Sequence, residues 1–262
     1  MNDEFEAAWA PADPLGEALH ALRMSGTFYC RSELPAPWGI DLPAMPDCLM
    51  FHVVTSGTCW VDLGTDERHC LRTGDFALLP RGEGHLLKST PEAGTVDLFD
   101  LPRELLSPRY EVLRTGGGGE ETTLICGAVR FDDPAALRVI QLLPKIIVIR
   151  ATSPDNQWLL DSVRMMMREA REMKPGGDTI ITRVSDILVV QAIRSWLERD
   201  PSAKTGWLGA LQDPHVGHAI ALVHRYPTHP WSVQSLAERV GLSRSAFAAR
   251  NQSSSRTISP HV

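Results

Sequence analysis

The segment Gly74–His85 reads GDFALLPRGEGH, an apolar run that ends in a turn rich in glycine and proline. This pattern predicts a buried β-strand followed by a tight turn. The turn brings the imidazole of His85 back toward the space that the strand helps to enclose. Upstream, FHVVTSGTCWVDL places His52 on another predicted strand. Two histidines on neighbouring strands of a small barrel predict a pocket for a metal or another ligand.

Length and composition exclude several classes of protein. The 262 residues suffice for one large or two smaller domains, and an apolar fraction of 43% supports a core. We find no apolar run near the roughly 18 residues of a membrane-spanning helix, and expect no membrane partner. The acidic start MNDEFEAAWAPADP does not resemble a secretory signal. Five cysteines without close pairs favour reduced thiols and a cytoplasmic location.

Residues 1–150 form the first of three regions. Here short apolar runs are cut by Gly, Pro and Asp, after a predicted leading helix at 15–24. Several short strands at this spacing predict an antiparallel sandwich or barrel. The glycine run 116–119 lacks the Lys-Ser/Thr of a phosphate loop and predicts a flexible loop. The candidate strands are Leu49–Thr55, Thr58–Leu63, Arg68–Leu71, Phe76–Leu79, His85–Lys88, Val96–Phe99 and Thr122–Phe131.

The second region, residues 151–206, changes to helical periodicity. Two apolar stripes, from Leu159 to Met173 and from Ile180 to Leu197, are separated by PGG at 175–177. The pattern predicts a helical hairpin whose stripes pack against the barrel or a second subunit. We therefore expect a homodimer formed through residues 155–200.

Residues 207–250 carry the pattern of a helix-turn-helix. Ser232 and Ser243 stand where two helices need caps, Gly241 permits a turn with positive φ, and the small Ala237 lets helices cross closely. This spacing favours a helix-turn-helix over a three-helix packing module without DNA. The residues expected to contact DNA are Ser243, Arg244, Ser245, Ala248 and Arg250.

Charge is distributed unevenly along the chain. Residues 1–150 hold 13 Lys and Arg against 22 Asp and Glu, whereas residues 207–262 hold five Arg against two acids. An acidic first region repels a phosphate backbone and the last region does not. The small excess indicates where nucleic acid could bind, but a tail of solvated arginines explains it equally well.

These motifs together resemble a known family. GDFALLPRGEGH resembles the second sequence motif of the cupin superfamily, and FHVVTSGTCW resembles its first motif. With GWLGALQDPHVGHAIALVHRYPTHPWSVQSLAERVGLSRSAFAAR, the chain resembles AraC/XylS-type transcription regulators over roughly residues 5–250. The resemblance implies an α+β protein with an N-terminal antiparallel cupin-type β-barrel, a central helical hairpin and a C-terminal helix-turn-helix. It also implies a regulator that senses an unknown small-molecule effector and binds DNA.

The chain departs from the family after Arg250. The family pattern has a large apolar residue at position 251, whereas this sequence has Asn251. The Ser-rich residues 251–262 predict a disordered tail. Family members carry two helix-turn-helix units, and residues after Arg250 do not match the pattern of the second, so we expect a truncated DNA-binding region. Because affinity for DNA depends on the number of phosphate contacts, we expect impaired DNA binding.

The cupin-like motifs carry over His52 and His85 as pocket residues. Enzymatic cupins have two histidines and a glutamate in the first motif, but Val54 stands at the second histidine position and no glutamate follows. We therefore expect no catalytic residues. A soft site of His52, His85, Cys126 and Cys48 would favour zinc, since Cys48 and His52 share one face of an extended strand.

Other interpretations remain open for the same residues. Each cysteine can be a small buried hydrophobe, and each histidine an ordinary hydrogen-bonded side chain. For the whole chain, the alternatives are a metal-dependent cupin enzyme and a small-molecule-binding or dimerisation protein that acts without DNA.

Overall fold

A computed structural model describes residues 24–64, 67–131, 140–153, 156–172, 174–204, 209–210, 212–226 and 228–253. The chain divides into two compact units, one spanning Arg23–Ser195 and another that includes Trp196–Val262. Of the predicted leading helix at 15–24, only Met24 lies within the described residues, and it begins a strand. No helix in this described part is long and apolar enough to cross a membrane.

The described part of the first unit contains two β-sheets. The larger has the strand order β12-β6-β3-β11-β1-β10-β9, and the smaller has the order β5-β4-β7-β2-β8. The strands are β1 (Met24–Pro35), β2 (Gly39–Leu42), β3 (Cys48–Ser56), β4 (Thr58–Asp62), β5 (Arg68–Arg72), β6 (Phe76–Leu79), β7 (His85–Lys88), β8 (Val96–Asp97), β9 (Arg103–Ser107), β10 (Tyr110–Arg114), β11 (Glu121–Phe131) and β12 (Ile147–Ile149).

All the candidate strands correspond to observed ones, namely β3 to β8 and β11, although β8 turns into a 3-10 helix at Leu98–Asp100. The prediction of a closed antiparallel barrel is wrong. Each described sheet is open, with terminal strands that pair on one side only, and the pairs β1–β10 and β2–β8 are parallel. The parallel pair in the larger sheet arises because β1 lies between β10 and β11, which are consecutive in the chain and do not pair with each other.

Side-chain alternation along β3 explains how the sheets pack. Met50 and Val54 contact a core that also contains Val61 and Leu87 of the smaller sheet, so the two sheets share one interior. His52 has the same parity as these core residues and faces the same interior. The alternate side chains of β3 point to the opposite face of the larger sheet. There the ring centroids of Phe51 and Phe76 lie 5.8 Å apart.

Two helices cover the outer face of the larger sheet. They are α1 (Gln157–Glu172) and α2 (Gly177–Arg199), at the positions that the periodicity predicts. The hydroxyl of Tyr110 on β10 donates to the carbonyl of Ala170 in α1 at 3.4 Å. The hairpin predicted as a separate segment over 151–206 therefore groups with the sheets as far as Ser195.

The second unit contains α3 (Pro214–Arg225), α4 (Val233–Arg239) and α5 (Arg244–Ser253). Helix α5 continues three residues past Arg250, into the segment predicted to be disordered, and residues 254–262 lie outside the described part. The three helices share an apolar core. Its buried members are Ala210, Val216, Ala219, Ile220, Leu236, Ala237, Val240 and Phe247.

Candidate functional site

The structure brings together three of the four residues predicted for a metal site. His52 in the middle of β3 and His85 at the start of β7 face each other from opposite sheets, with 2.7 Å between their Nε2 atoms. Cys126 on β11 is the register partner of His52, and its Sγ lies 3.1 Å from His52 Nδ1. The side chains are buried, with His52 1% and His85 3% exposed.

The turn before β7 holds His85 in this position. Gly82 adopts φ 62°, and a Cβ on this residue would collide with the carbonyl oxygen of Met45. The backbone N–H of Met45 in turn donates to the carbonyl of Gly82 at 2.8 Å. Glycine is thus required both for the conformation and for the close approach. Within the turn, the carbonyl of Glu83 lies 3.1 Å from His85 Nδ1.

Cys48, the fourth predicted residue, does not join this cluster. It shares strand parity with His52, but four residues of extended strand separate them by about 13 Å. Its register partner is Arg130, at the end of β11. Instead, Cys48 lines a separate pocket of about 230 Å³ together with Asp47, Pro80, Arg81, Glu83, Ile140 and Gln141.

Burial keeps the cluster electrically neutral. It lowers the pKa of His52 well below the usual value of 6.5, and a positive charge on His85 would lower it further. Burial also lowers the pKa of His85 to about 4, against the opposing effect of the Glu83 carbonyl. The same desolvation raises the pKa of the Cys126 thiol well above its ordinary value. At neutral pH both imidazoles and the thiol are therefore uncharged.

These shifts predict a loss of stability in acid. Between the unfolded pKa of 6.5 and the folded pKa of about 4, the unfolded chain binds a proton that native His85 does not, so stability falls with falling pH. His85 alone should contribute roughly 3 kcal/mol over this range. Urea unfolding at pH 7.5, 6 and 5 measures the effect. A His85→Gln variant should show a shallower pH dependence, and equal slopes would contradict the assignment.

The described arrangement does not fit a zinc ion. Two nitrogens bound tetrahedrally to one zinc at 2.0–2.1 Å lie about 3.3 Å apart. The Nε2 atoms of His52 and His85 are in direct hydrogen-bond contact at 2.7 Å. Among the described residues, no group of three or more His, Cys, Asp or Glu side chains is arranged to hold a metal.

The second unit contains the other candidate site, and its local structure follows the predicted caps. The Ser232 hydroxyl accepts from the N–H of Ser235 at 3.0 Å and caps α4. Gly241 adopts φ 73° in the turn after α4. The Ser243 hydroxyl accepts from the N–H of Ala246 at 3.2 Å, at the start of α5. Both serines and the glycine therefore have the structural roles predicted for them.

The five residues expected to contact DNA differ in their surroundings. Arg244 and Ser245 are exposed in the first turn of α5, Ser243 caps that helix, and Ala248 is half-buried. Arg250 is engaged elsewhere in the unit, because its Nη1 lies 3.1 Å from Asp213 Oδ2. Asp213 also caps α3. This pair spans 37 residues, so no local pattern could have revealed it.

Comparison with known proteins shows which family the chain resembles. Residues 13–198 match the cupin family. An AraC-like transcription regulator of Streptomyces lividans is 31% identical over 243 residues, covering 91% of this chain and 77% of that protein. The HTH-type transcriptional regulator AlkR of Acinetobacter baylyi is 26% identical over 245 residues, covering 92% of this chain and 79% of that protein. ToxT of Vibrio cholerae O395, a solved structure, aligns over 89% of this chain and 78% of its own with 9% identity and a TM-score of 0.37.

The curated relatives are transcription regulators rather than enzymes. The S. lividans regulator is matched along nine-tenths of this chain, and the cupin match covers the unit that contains His52, His85 and Cys126. The chain therefore belongs to the AraC-type transcription regulators with a cupin-like N-terminal domain.

Proposed function

We propose that this protein is a ligand-responsive transcription regulator that contacts DNA through the N-terminal turn of α5. The observation that carries the proposal is the arrangement of α4, the Gly241 turn and α5, which leaves Arg244 and Ser245 exposed at the start of the second helix. In helix-turn-helix proteins, the N-terminal residues of the second helix reach base edges in the major groove.

The number of helix-turn-helix units affects the affinity for DNA. Within the described residues α4 and α5 form the one candidate helix-turn-helix, and residues 207–262 carry only five Arg against two acids. Because each phosphate contact adds to DNA affinity, we propose that a polypeptide of these 262 residues binds DNA more weakly than a protein with two units.

Replacing Arg244 by alanine tests the DNA contact. We expect the variant to bind a labelled random-sequence duplex more weakly, with the slope of log K against log salt reduced by about 1 if Arg244 contacts a phosphate. Fluorescence anisotropy at several salt concentrations gives both quantities. The matched control is Arg164→Ala, which removes an exposed arginine from α1. Equal effects of the two substitutions would show that α5 has no particular role.

The sensing function is proposed for the interior that the two sheets share. Two polar atoms there are buried and without a hydrogen-bond partner in the described part of the chain, Nε1 of Trp38 and Oε1 of Glu111. Buried polar groups are ordinarily paired, so such atoms are available to a polar effector. Glu111 faces the interior, since it is the register partner of Cys30, which belongs to that core.

Dimerisation is proposed through the helical hairpin, residues 155–200. Its apolar residues mostly face the sheet, but Met165 on α1 is 45% and Ile187 on α2 is 53% exposed. A second copy would remove such side chains from water. We expect Ile187→Glu to shift the molar mass at micromolar concentration from dimer to monomer in light scattering. Val96→Glu, a substitution at a similarly exposed position outside the hairpin, is the control. A monomeric parent protein would contradict the proposal directly.

A further inference from the structure

The contacts around His52 and His85 determine where their protons lie. A carbonyl oxygen can only accept, so the contact between His85 Nδ1 and the Glu83 carbonyl requires a proton on Nδ1. A neutral imidazole carries one N–H, which leaves the lone pair of His85 on Nε2. The contact between the two Nε2 atoms then requires that His52 donates through Nε2–H.

The same reasoning continues to the thiol. Because the proton of His52 is on Nε2, its Nδ1 carries a lone pair and accepts a hydrogen bond. The partner of Nδ1 is Cys126 Sγ at 3.1 Å, so the thiol S–H donates. Every ring nitrogen is then used once, and each hydrogen bond has one donor and one acceptor.

We infer that Cys126, His52, His85 and the Glu83 carbonyl form a one-directional hydrogen-bond relay that joins the two sheets, and that this cluster is not a metal centre. A metal ion would need a ring lone pair, and both are occupied. It would therefore have to break two hydrogen bonds in a site that excludes water. The inference stands independently of the proposed DNA contact and of the effector.

The relay has a definite position in the fold. It runs from β11 through β3 of the larger sheet to β7 of the smaller sheet, and ends on the turn that Gly82 shapes. Its last residue, Glu83, also lines the pocket of about 230 Å³. His52, His85 and Cys126 are thus positioning residues, which hold this turn to the interior of the larger sheet.

Nitrogen NMR on the intact protein tests the inference. The chain is labelled with ¹⁵N-histidine and purified without a metal-affinity resin, and long-range ¹H–¹⁵N spectra are recorded at neutral pH. His52→Gln and His85→Gln variants identify the two rings. We expect His85 as the Nδ1–H form and His52 as the Nε2–H form, with zinc far below one ion per chain by elemental analysis after equilibration with zinc. The opposite tautomers, or one bound zinc per chain, would overturn the inference.

Cysteine variants separate the relay from simple packing. Cys126→Ser keeps a donor and should preserve the His52 tautomer, whereas Cys126→Ala removes the donor and should shift the His52 Nδ1 resonance. Cys59→Ala is the matched control, because Cys59 is another buried thiol of the same core and its Sγ contacts the carbonyl of Trp60. If Cys59→Ala and Cys126→Ala shift His52 Nδ1 equally, Cys126 is not part of a relay.

Discussion

Replacing Phe247 by alanine is expected to abolish DNA binding, although this side chain faces away from solvent. Phe247 is 1% exposed and packs in the core of the helical unit with Leu236, Ala237 and Val240. Truncation of a buried phenylalanine costs about 3–5 kcal/mol. A unit of three short helices has little stability to lose, so the loss should unfold it.

Hydrogen exchange measures the local effect of Phe247→Ala, and anisotropy measures the loss of DNA binding. Peptides covering α3 to α5 should lose their protection, while peptides from the two sheets should keep theirs. Tyr226→Ala is the control, because it truncates an aromatic side chain of the same unit that is 45% exposed. Retained protection and unchanged DNA binding in Phe247→Ala would contradict the assignment of this core.

Replacing Asp75 by alanine is expected to destabilise the unit that contains the sheets. The buried carboxylate accepts from the backbone N–H groups of Arg72 at 3.1 Å and of Ala151 at 2.9 Å. It also pairs with Arg150 at 2.8 Å, but that side chain is 45% exposed and can be solvated instead. Leaving these two partly buried N–H groups without their acceptor should cost about 1–3 kcal/mol.

Urea unfolding of Asp75→Ala measures this cost. Asp161→Ala is the control, since Asp161 pairs with Arg164 on the exposed side of α1 and should contribute less than about 1 kcal/mol. Asp75→Asn retains one acceptor oxygen and should fall between the alanine variant and the parent. A cost for Asp75→Ala no larger than that of the control would show that these three contacts do not stabilise the unit.

Local residue patterns predicted much of this fold, because neighbouring residues determine which face of an element is apolar and where a helix is capped. Periodicity located α1, α2 and seven strands, since each pattern reports which side of an element faces a core. The caps of α4 and α5 were predicted from Ser232 and Ser243, because a serine hydroxyl before a helix accepts from a backbone N–H of its first turn. Strand β1 was missed although it has 12 residues, because Arg31, Ser32 and Glu33 interrupt its apolar pattern. It is stabilised by pairing with β10 and β11, which lie far away in the sequence.

The sequence alone determined the family, the order of the regions, and a set of four candidate pocket residues, two histidines and two cysteines, of which three lie together inside the first unit. Only the tertiary structure decided what those residues do. The register of β3 on β11 places Cys126, and not Cys48, beside His52, and the approach of the two sheets sets the distance of 2.7 Å between the histidines. It likewise pairs Arg250 with Asp213. Such contacts join residues tens of positions apart, so their geometry depends on how whole strands and helices pack, which local residue patterns do not specify.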